Sequence, residues 1–271
     1  MKIISIGSDR NLFVKDSEAQ KRIKEYGNLF DELHIVVFST RNYQLFPLRG
    51  ISRRETIINY KITDNIFIYP TNSRSRWFYI WDAYKIAKLS IINYQLSIVT
   101  CQDPFESGLV GWLLKMRYKL PLQLQVHTDI FSPHFRRESL LNGLRVLIAK
   151  FLLPRADGIR VVSERIKASL STFDFRLSTK ITVLPIFVDI KKIQSAKIKT
   201  DLHQKYPEYD FIILMASRLT REKNISLAIE AMHELATKYE KNTNIRKILL
   251  LIVGEGPERE ALQESIVKCC D

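Results

Sequence analysis

Two consecutive strand–turn–helix units in the last third of the chain constrain its fold more than any other feature. Residues 212–216 and 248–253 are continuous apolar runs without polar alternation, the pattern of strands buried on both faces of a parallel sheet. Each run ends in a turn. The first is Ala216-Ser217-Arg218-Leu219-Thr220-Arg221-Glu222-Lys223, followed by an amphipathic helix expected over 224–239. The second is Gly254-Glu255-Gly256-Pro257, with Pro257 expected in the first turn of the next helix, where proline is best tolerated. Ligands of open parallel sheets bind at the carboxyl ends of the strands. Arg218 and Lys223 lie just past such an end, five residues apart, where two cations beside a helix N-terminus suit a diphosphate.

The preceding residues alternate in the same way. Strands are expected at 2–6, 33–38, 96–101, 122–126, 158–162 and 181–184, with a hairpin over 57–69 turning at Asp64-Asn65. Helices are expected at 17–27, 77–89, 106–117 and 140–153, and Ser163 caps another. Strands alternating with helices imply a doubly wound parallel sheet covered on both faces. A polar, lysine-rich stretch at 191–210 separates a first domain, 1–190, from the start of a second, 211–271. There is no repeat of solenoid length and no low-complexity tract.

Composition excludes several classes. With 271 residues, 46% of them hydrophobic, the chain is globular. Three cysteines, Cys101, Cys269 and Cys270, have no spacing for zinc or a disulfide framework, so a reducing cytoplasm is expected. The apolar start is too short for a signal peptide. Arg145 and Lys150 interrupt the longest apolar stretch, so no membrane span is expected. The net charge of +13 is concentrated in residues 1–190, which carry +11. That balance favours phosphate-rich partners such as anionic headgroups or lipid-linked diphosphates. Absence of a G-x-G-x-x-G after the first strand argues against a dinucleotide-dependent enzyme. The diffuse charge and lack of a recognised module argue against nucleic acid.

The ordered set of strand, Arg-x4-Lys, helix, strand and GxGP resembles the donor half of glycosyltransferase family 4, retaining enzymes of the two-Rossmann-domain GT-B architecture. The resemblance implies that Arg218 and Lys223 hold the donor diphosphate, and that Gly254, Glu255 and Gly256 approach its nucleotide. His127, after the strand at 122–126, matches a family histidine near the transferred sugar and is the expected catalytic residue. Gly7, Ser8 and Arg10 occupy the first strand-to-helix turn, where many members carry two glycines. With Ser163, in a segment resembling the family's "vvSe", they are the expected acceptor-side residues. Val183-Leu184-Pro185-Ile186-Phe187-Val188-Asp189 resembles the connector closing the first domain, although Ile186 and Phe187 replace the usual asparagine and glycine. His34 has no functional argument, and His134 is expected in a loop.

The function so implied is transfer of a sugar, with retention, from a nucleotide diphosphate to a glycan or lipid-linked acceptor in cell-envelope polysaccharide synthesis. No cofactor and no metal beyond the donor are expected. The aromatic and basic segment Trp77, Phe78, Tyr79, Trp81 and Tyr84, with Arg74, Arg76, Lys85 and Lys88, packs in a core, meets an anionic membrane surface or stacks on single-stranded nucleic acid. The implied location is cytoplasmic and peripheral at the inner face of the membrane. Glu222 and Glu230 have the family's seven-residue glutamate spacing but lie upstream of the GxGP turn, so they read as solvent-facing charges. The family pair lies downstream, so the second domain is expected to be incomplete at Asp271, with an exposed edge and apolar faces. A non-catalytic protein binding a sugar nucleotide or a lipid headgroup is the alternative.

Overall fold

A computed structural model describes residues 1–40, 60–239 and 247–270. The chain divides into two compact units, Met1–Phe187 and Val188–Asp271.

Among the described residues, the first unit is built on eight strands. In chain order its elements are β1 (Lys2–Gly7), α1 (Glu18–Gly27), β2 (Glu32–Val37), β3 (Tyr60–Thr63), β4 (Ile66–Pro70), α2 (Tyr79–Tyr94), β5 (Ile98–Cys101), α3 (Glu106–Tyr118), β6 (Leu122–Val126), α4 (Pro133–Glu138), α5 (Leu140–Leu152), β7 (Gly158–Val161), α6 (Glu164–Phe173) and β8 (Ile181–Val183). The strands lie in the order β3-β4-β2-β1-β5-β6-β7-β8. All pairs are parallel except β3–β4, the hairpin expected around Asp64-Asn65; residues 57–59 of that expectation lie outside the described residues.

The alternating side chains of β1 explain the layering. Ile4 and Ile6 enter one apolar cluster with Val99, Leu124 and residues of α2, α3 and α5, whereas Ile3 joins Leu12, Ala19 and Ile35 in another. A strand sends successive side chains to opposite faces, so both faces of the sheet carry a core. Ser163 caps α6 as expected, accepting from Ile166 N, while Ser17, read as the first helical residue, is instead the cap of α1 and accepts from Gln20 N. Between α3 and the start of β6, one carboxylate oxygen of Asp157 accepts from Lys115 Nζ at 2.6 Å and from Leu122 N at 2.7 Å.

The structure departs from the sequence expectation at His134, which lies in α4 rather than a loop. Pro133 at the first helical position seeds this short helix. Its six residues are too few to reveal a helical period in sequence.

His34 is fully buried in β2, stacked on Phe67 at 4.9 Å. Its Nε2 lies 3.2 Å from Glu32 Oε2 and its Nδ1 2.8 Å from the Tyr69 hydroxyl. If Nε2–H donates to Glu32, Nδ1 is left to accept from Tyr69, the neutral tautomer. Burial lowers the imidazole's pKa below its ordinary value, outweighing the upward pull of Glu32. The unfolded chain therefore binds a proton that the folded one resists. This residue's contribution to stability is complete above about pH 6.5 and declines as pH falls below it towards the depressed folded pKa. Urea midpoints measured at neutral and mildly acidic pH should fall on acidification, and the fall should be smaller in His34→Phe; equal pH slopes would contradict this.

The second unit is smaller. It contains α7 (Ile190–Gln194), α8 (Leu202–Lys205), β9 (Phe211–Ala216), α9 (Ile225–Tyr239), β10 (Ile248–Val253) and α10 (Arg259–Cys270). The stretch read as a linker, 191–210, thus includes helical turns. β9 and β10 pair in parallel, Phe211 against Ile248. Leu219, Ile225, Ile229 and Leu262 form the buried cluster, while Phe211, Leu214 and Val253 stay about half exposed. Pro257 stands two residues ahead of α10 rather than in its first turn.

Candidate functional site

In the second unit, the turns after β9 and β10 are stitched together by their backbones. Ser217 N donates to Val253 O, Leu219 N to Glu255 O, and Glu258 N to Leu219 O, at 3.0 to 3.1 Å. The two glycines permit this approach. A Cβ on Gly254 would stand 1.8 Å from Ser217 O, and one on Gly256 would stand 2.2 Å from Leu219 O. Asn224 then takes a left-handed conformation, φ 44°, which ends the 221–223 turn and directs the chain into α9.

Arg218 lies just ahead of the anchored Leu219, and Lys223 just ahead of Asn224. The Arg218 side chain is 75% exposed and Lys223 45%. Both face Glu222: one Arg218 Nη lies 3.1 Å from Glu222 Oε1, and Lys223 Nζ 3.7 Å from the same oxygen. Glu222 is exposed as expected, but it is not an isolated charge; it occupies the space between the two cations. Glu230 is exposed on α9. Glu255 pairs with Arg259 at 3.0 Å.

In the first unit, the remaining candidates sit at the carboxyl ends of β1, β6 and β7. Gly7 closes β1 against the Gln102 side chain, and Ser8 N donates to Gln102 Oε1 at 3.3 Å. Arg10 is engaged in structure: Nε donates to Phe38 O at 3.2 Å and one Nη to the Tyr79 hydroxyl at 2.9 Å. Tyr79 itself stacks on Phe38. His127 follows β6, exposed to solvent, with Nε2 3.3 Å from Gln125 Oε1. Partial desolvation, then the nearby Arg160 guanidinium, lower its pKa, which keeps the ring neutral near pH 7. Ser163 spends its oxygen on the α6 cap, accepting from Ile166 N at 3.4 Å.

Because β6 and β7 are neighbours, His127 and Ser163 lie on adjacent strand ends; Gly7 lies on β1, with β5 between it and β6. Gln102, Gln125 and Arg160 were not foreseen. Gln102 carried a signal, as the first residue past a buried strand; Gln125 and Arg160 lie within strands and read only as polar alternations. Among the described residues, no cluster of three or more His, Cys, Asp or Glu could hold a metal.

Residues 29–192 match the model of Glycosyltransferase Family 4, and 198–269 match that of Glycosyl transferases group 1. The chain belongs to glycosyltransferase family 4. A similar protein is the alpha-monoglucosyldiacylglycerol synthase of Streptococcus pneumoniae (strain ATCC BAA-255 / R6), 28% identical over 193 residues. The match takes in 67% of this family 4 chain and 41% of that protein. Among solved structures, sucrose-phosphate synthase from Thermosynechococcus elongatus aligns with a TM-score of 0.65 at 14% identity, over 100% of this chain and 68% of that one. The E. coli trehalose-6-phosphate structure bound with UDP-2-fluoro glucose aligns with a TM-score of 0.62 at 12% identity, over 99% and 69%. At such identities the likeness shows a shared fold alone.

Gly256→Ala should force the two turns apart, because a Cβ there collides with backbone rather than with a movable side chain. The expected cost is about 1–3 kcal/mol, read as a lower midpoint for the second unit in hydrogen exchange; an unchanged midpoint would contradict the stitched geometry.

Proposed function

We propose that this chain is a nucleotide-sugar-dependent glycosyltransferase that moves a sugar, with retention, to a glycan or lipid-linked acceptor. The observation that carries the reading is the pair of stitched turns, which fixes Arg218 and Lys223 just past the end of β9. In the reaction the bond between the anomeric carbon and the diphosphate oxygen breaks, and the diphosphate leaves with the electron pair. The acceptor's hydroxyl oxygen forms the new bond, and its proton passes to the departing diphosphate oxygen. Charge grows on the leaving diphosphate, so preorganised cations aimed at it lower the barrier. Arg218 offers a bidentate fork and Lys223 a point charge. On this reading the diphosphate takes the place of Glu222 between them, and the backbone at Gly254, Glu255 and Gly256 admits the nucleotide. His127, neutral near pH 7, hydrogen-bonds the transferred sugar, and Gly7, Ser8, Arg10 and Ser163 border the acceptor. We propose no cofactor and no metal beyond the donor, and no nucleic-acid partner.

The acceptor class is supported by the name of the S. pneumoniae relative, a diacylglycerol glycolipid synthase, and by the basic balance of residues 1–190. Among the described residues no helix is long and apolar enough to cross a membrane, and the proposed location is the cytoplasmic face of a membrane, held peripherally.

Transfer from a panel of nucleotide diphosphate sugars tests the reading. Arg218→Ala should lower turnover by roughly two orders of magnitude, comparable to losing one preorganised donor; near-normal turnover would overturn the assignment, and donor binding without turnover would favour the non-catalytic alternative. The depressed His127 pKa sets a second expectation. Activity should be constant across neutral pH and fall only below about pH 6.5, as the ring is protonated. In His127→Asn, which keeps hydrogen-bonding groups but cannot titrate, that acid limb should vanish from the pH–rate profile; a limb that persists unchanged would remove His127 from the site.

A further inference from the structure

α5 turns towards solvent what a helix of a globular domain ordinarily hides. Leu140, Leu144 and Leu147 are 98%, 53% and 64% exposed, and Phe151 continues the same stripe one turn on. These positions share one face of the helix, while Asn142, Val146, Ala149 and Leu152 are buried on its other sides. The stripe is joined by α3, whose Trp112 meets Phe151 edge-on at 5.0 Å and whose Met116 is 65% exposed.

Beside the stripe a cavity of about 720 Å³ opens between α4, α5 and α6. Its walls include Ile130, Phe131 and Phe173, and its cations are Arg136, Arg137 and Lys150. Lys150 Nζ lies 5.3 Å from the Phe173 ring. Among the described residues, none of these three cations forms an ion pair. Val146 and Lys150 line the cavity from α5 itself, so the helix that carries the apolar stripe also carries part of the cationic rim.

Contiguous exposed apolar surface on a soluble protein marks an interaction site. Here the charge selects the partner. Leucines and a phenylalanine on one helical face, with unpaired arginines and a lysine beside them, match the boundary between anionic headgroups and acyl chains. A second copy packed about a two-fold axis would set these cations against their own equivalents.

We propose that this face docks on an anionic lipid bilayer. The α5 stripe and Met116 enter the headgroup–acyl boundary, and Arg136, Arg137 and Lys150 take lipid phosphates at the mouth of the cavity. The inference rests on the membrane-acceptor reading above and deepens it by naming the face. The aromatic and basic segment that begins at Trp77 runs into α2, which packs on α3; there Trp77 and Trp81 are exposed while Tyr79 is buried.

The test is co-sedimentation of the full chain with vesicles of phosphatidylcholine alone and of phosphatidylcholine mixed with phosphatidylglycerol. Binding is expected only to the mixed vesicles. The double variant Leu144→Glu/Leu147→Glu and the single Lys150→Glu should each weaken it by about tenfold or more. Leu144 and Leu147 are exposed, so the double variant should keep the wild-type circular dichroism and melting curve. Four results would overturn the proposal: equal binding to neutral vesicles, unchanged binding by both variants, complete competition by inorganic phosphate, or a dimer abolished by the double variant with no vesicle binding. Titration of a nucleoside diphosphate into the same proteins separates the two readings. Loss of nucleotide binding by the wild type counts against the transferase assignment, whereas loss of vesicle binding alone counts against the docking face.

Discussion

A parallel sheet covered on both faces leaves its chain one place to do chemistry: the loops at the carboxyl ends of the strands. The alternation of Ile3 with Ile4 and Ile6 in β1, each side feeding a different buried cluster, commits both faces of the first unit to packing there. What remains for function lies past β1, β6 and β7 in the first unit and past β9 and β10 in the second. Gly7, Ser8, Arg10, His127, Ser163, Arg218, Lys223 and residues 254–256 all fall at those strand ends.

The second unit makes that constraint specific. Two turns that approach closely enough for Leu219 to exchange hydrogen bonds with Glu255 and Glu258 cannot also hold a side chain at positions 254 and 256. The glycines are therefore a packing requirement before they are a binding feature. The consequence is chemical: backbone hydrogen bonds at Ser217 and Leu219 bracket Arg218, and Asn224, held in a left-handed conformation, follows Lys223. Both cations face the Glu222 carboxylate, the arrangement suited to a small dianion in the same place.

The sequence revealed strands and their order of use well, because continuous apolar runs such as 122–126 and 248–253 have few other readings. Helix ends were less clear. The stop at Asn224 depends on a positive φ that a helix-friendly pattern conceals, and α4 is too short to show a period. Pro257 fits a first helical turn by composition, yet the stitch to Leu219 holds that segment out of the helix. The partners of the site residues were least visible. Arg10 is expected among the acceptor-side residues, but the Phe38 carbonyl and Tyr79 hydroxyl engage its guanidinium. Glu222 looked like a solvent-facing charge, but it sits against Arg218 and Lys223. Contacts between residues distant in sequence, such as Arg10 with Tyr79, follow from strand order and leave no trace in local pattern.

The central claim is that the turns after β9 and β10 form one diphosphate-holding unit. Hydrogen exchange of the chain with and without a nucleoside diphosphate tests it most directly. The account predicts that protection rises in both turns together, at residues 217–224 and 253–259, and that a nucleoside lacking phosphate gives no such change. Protection confined to one turn, or appearing only elsewhere in the chain, would contradict it.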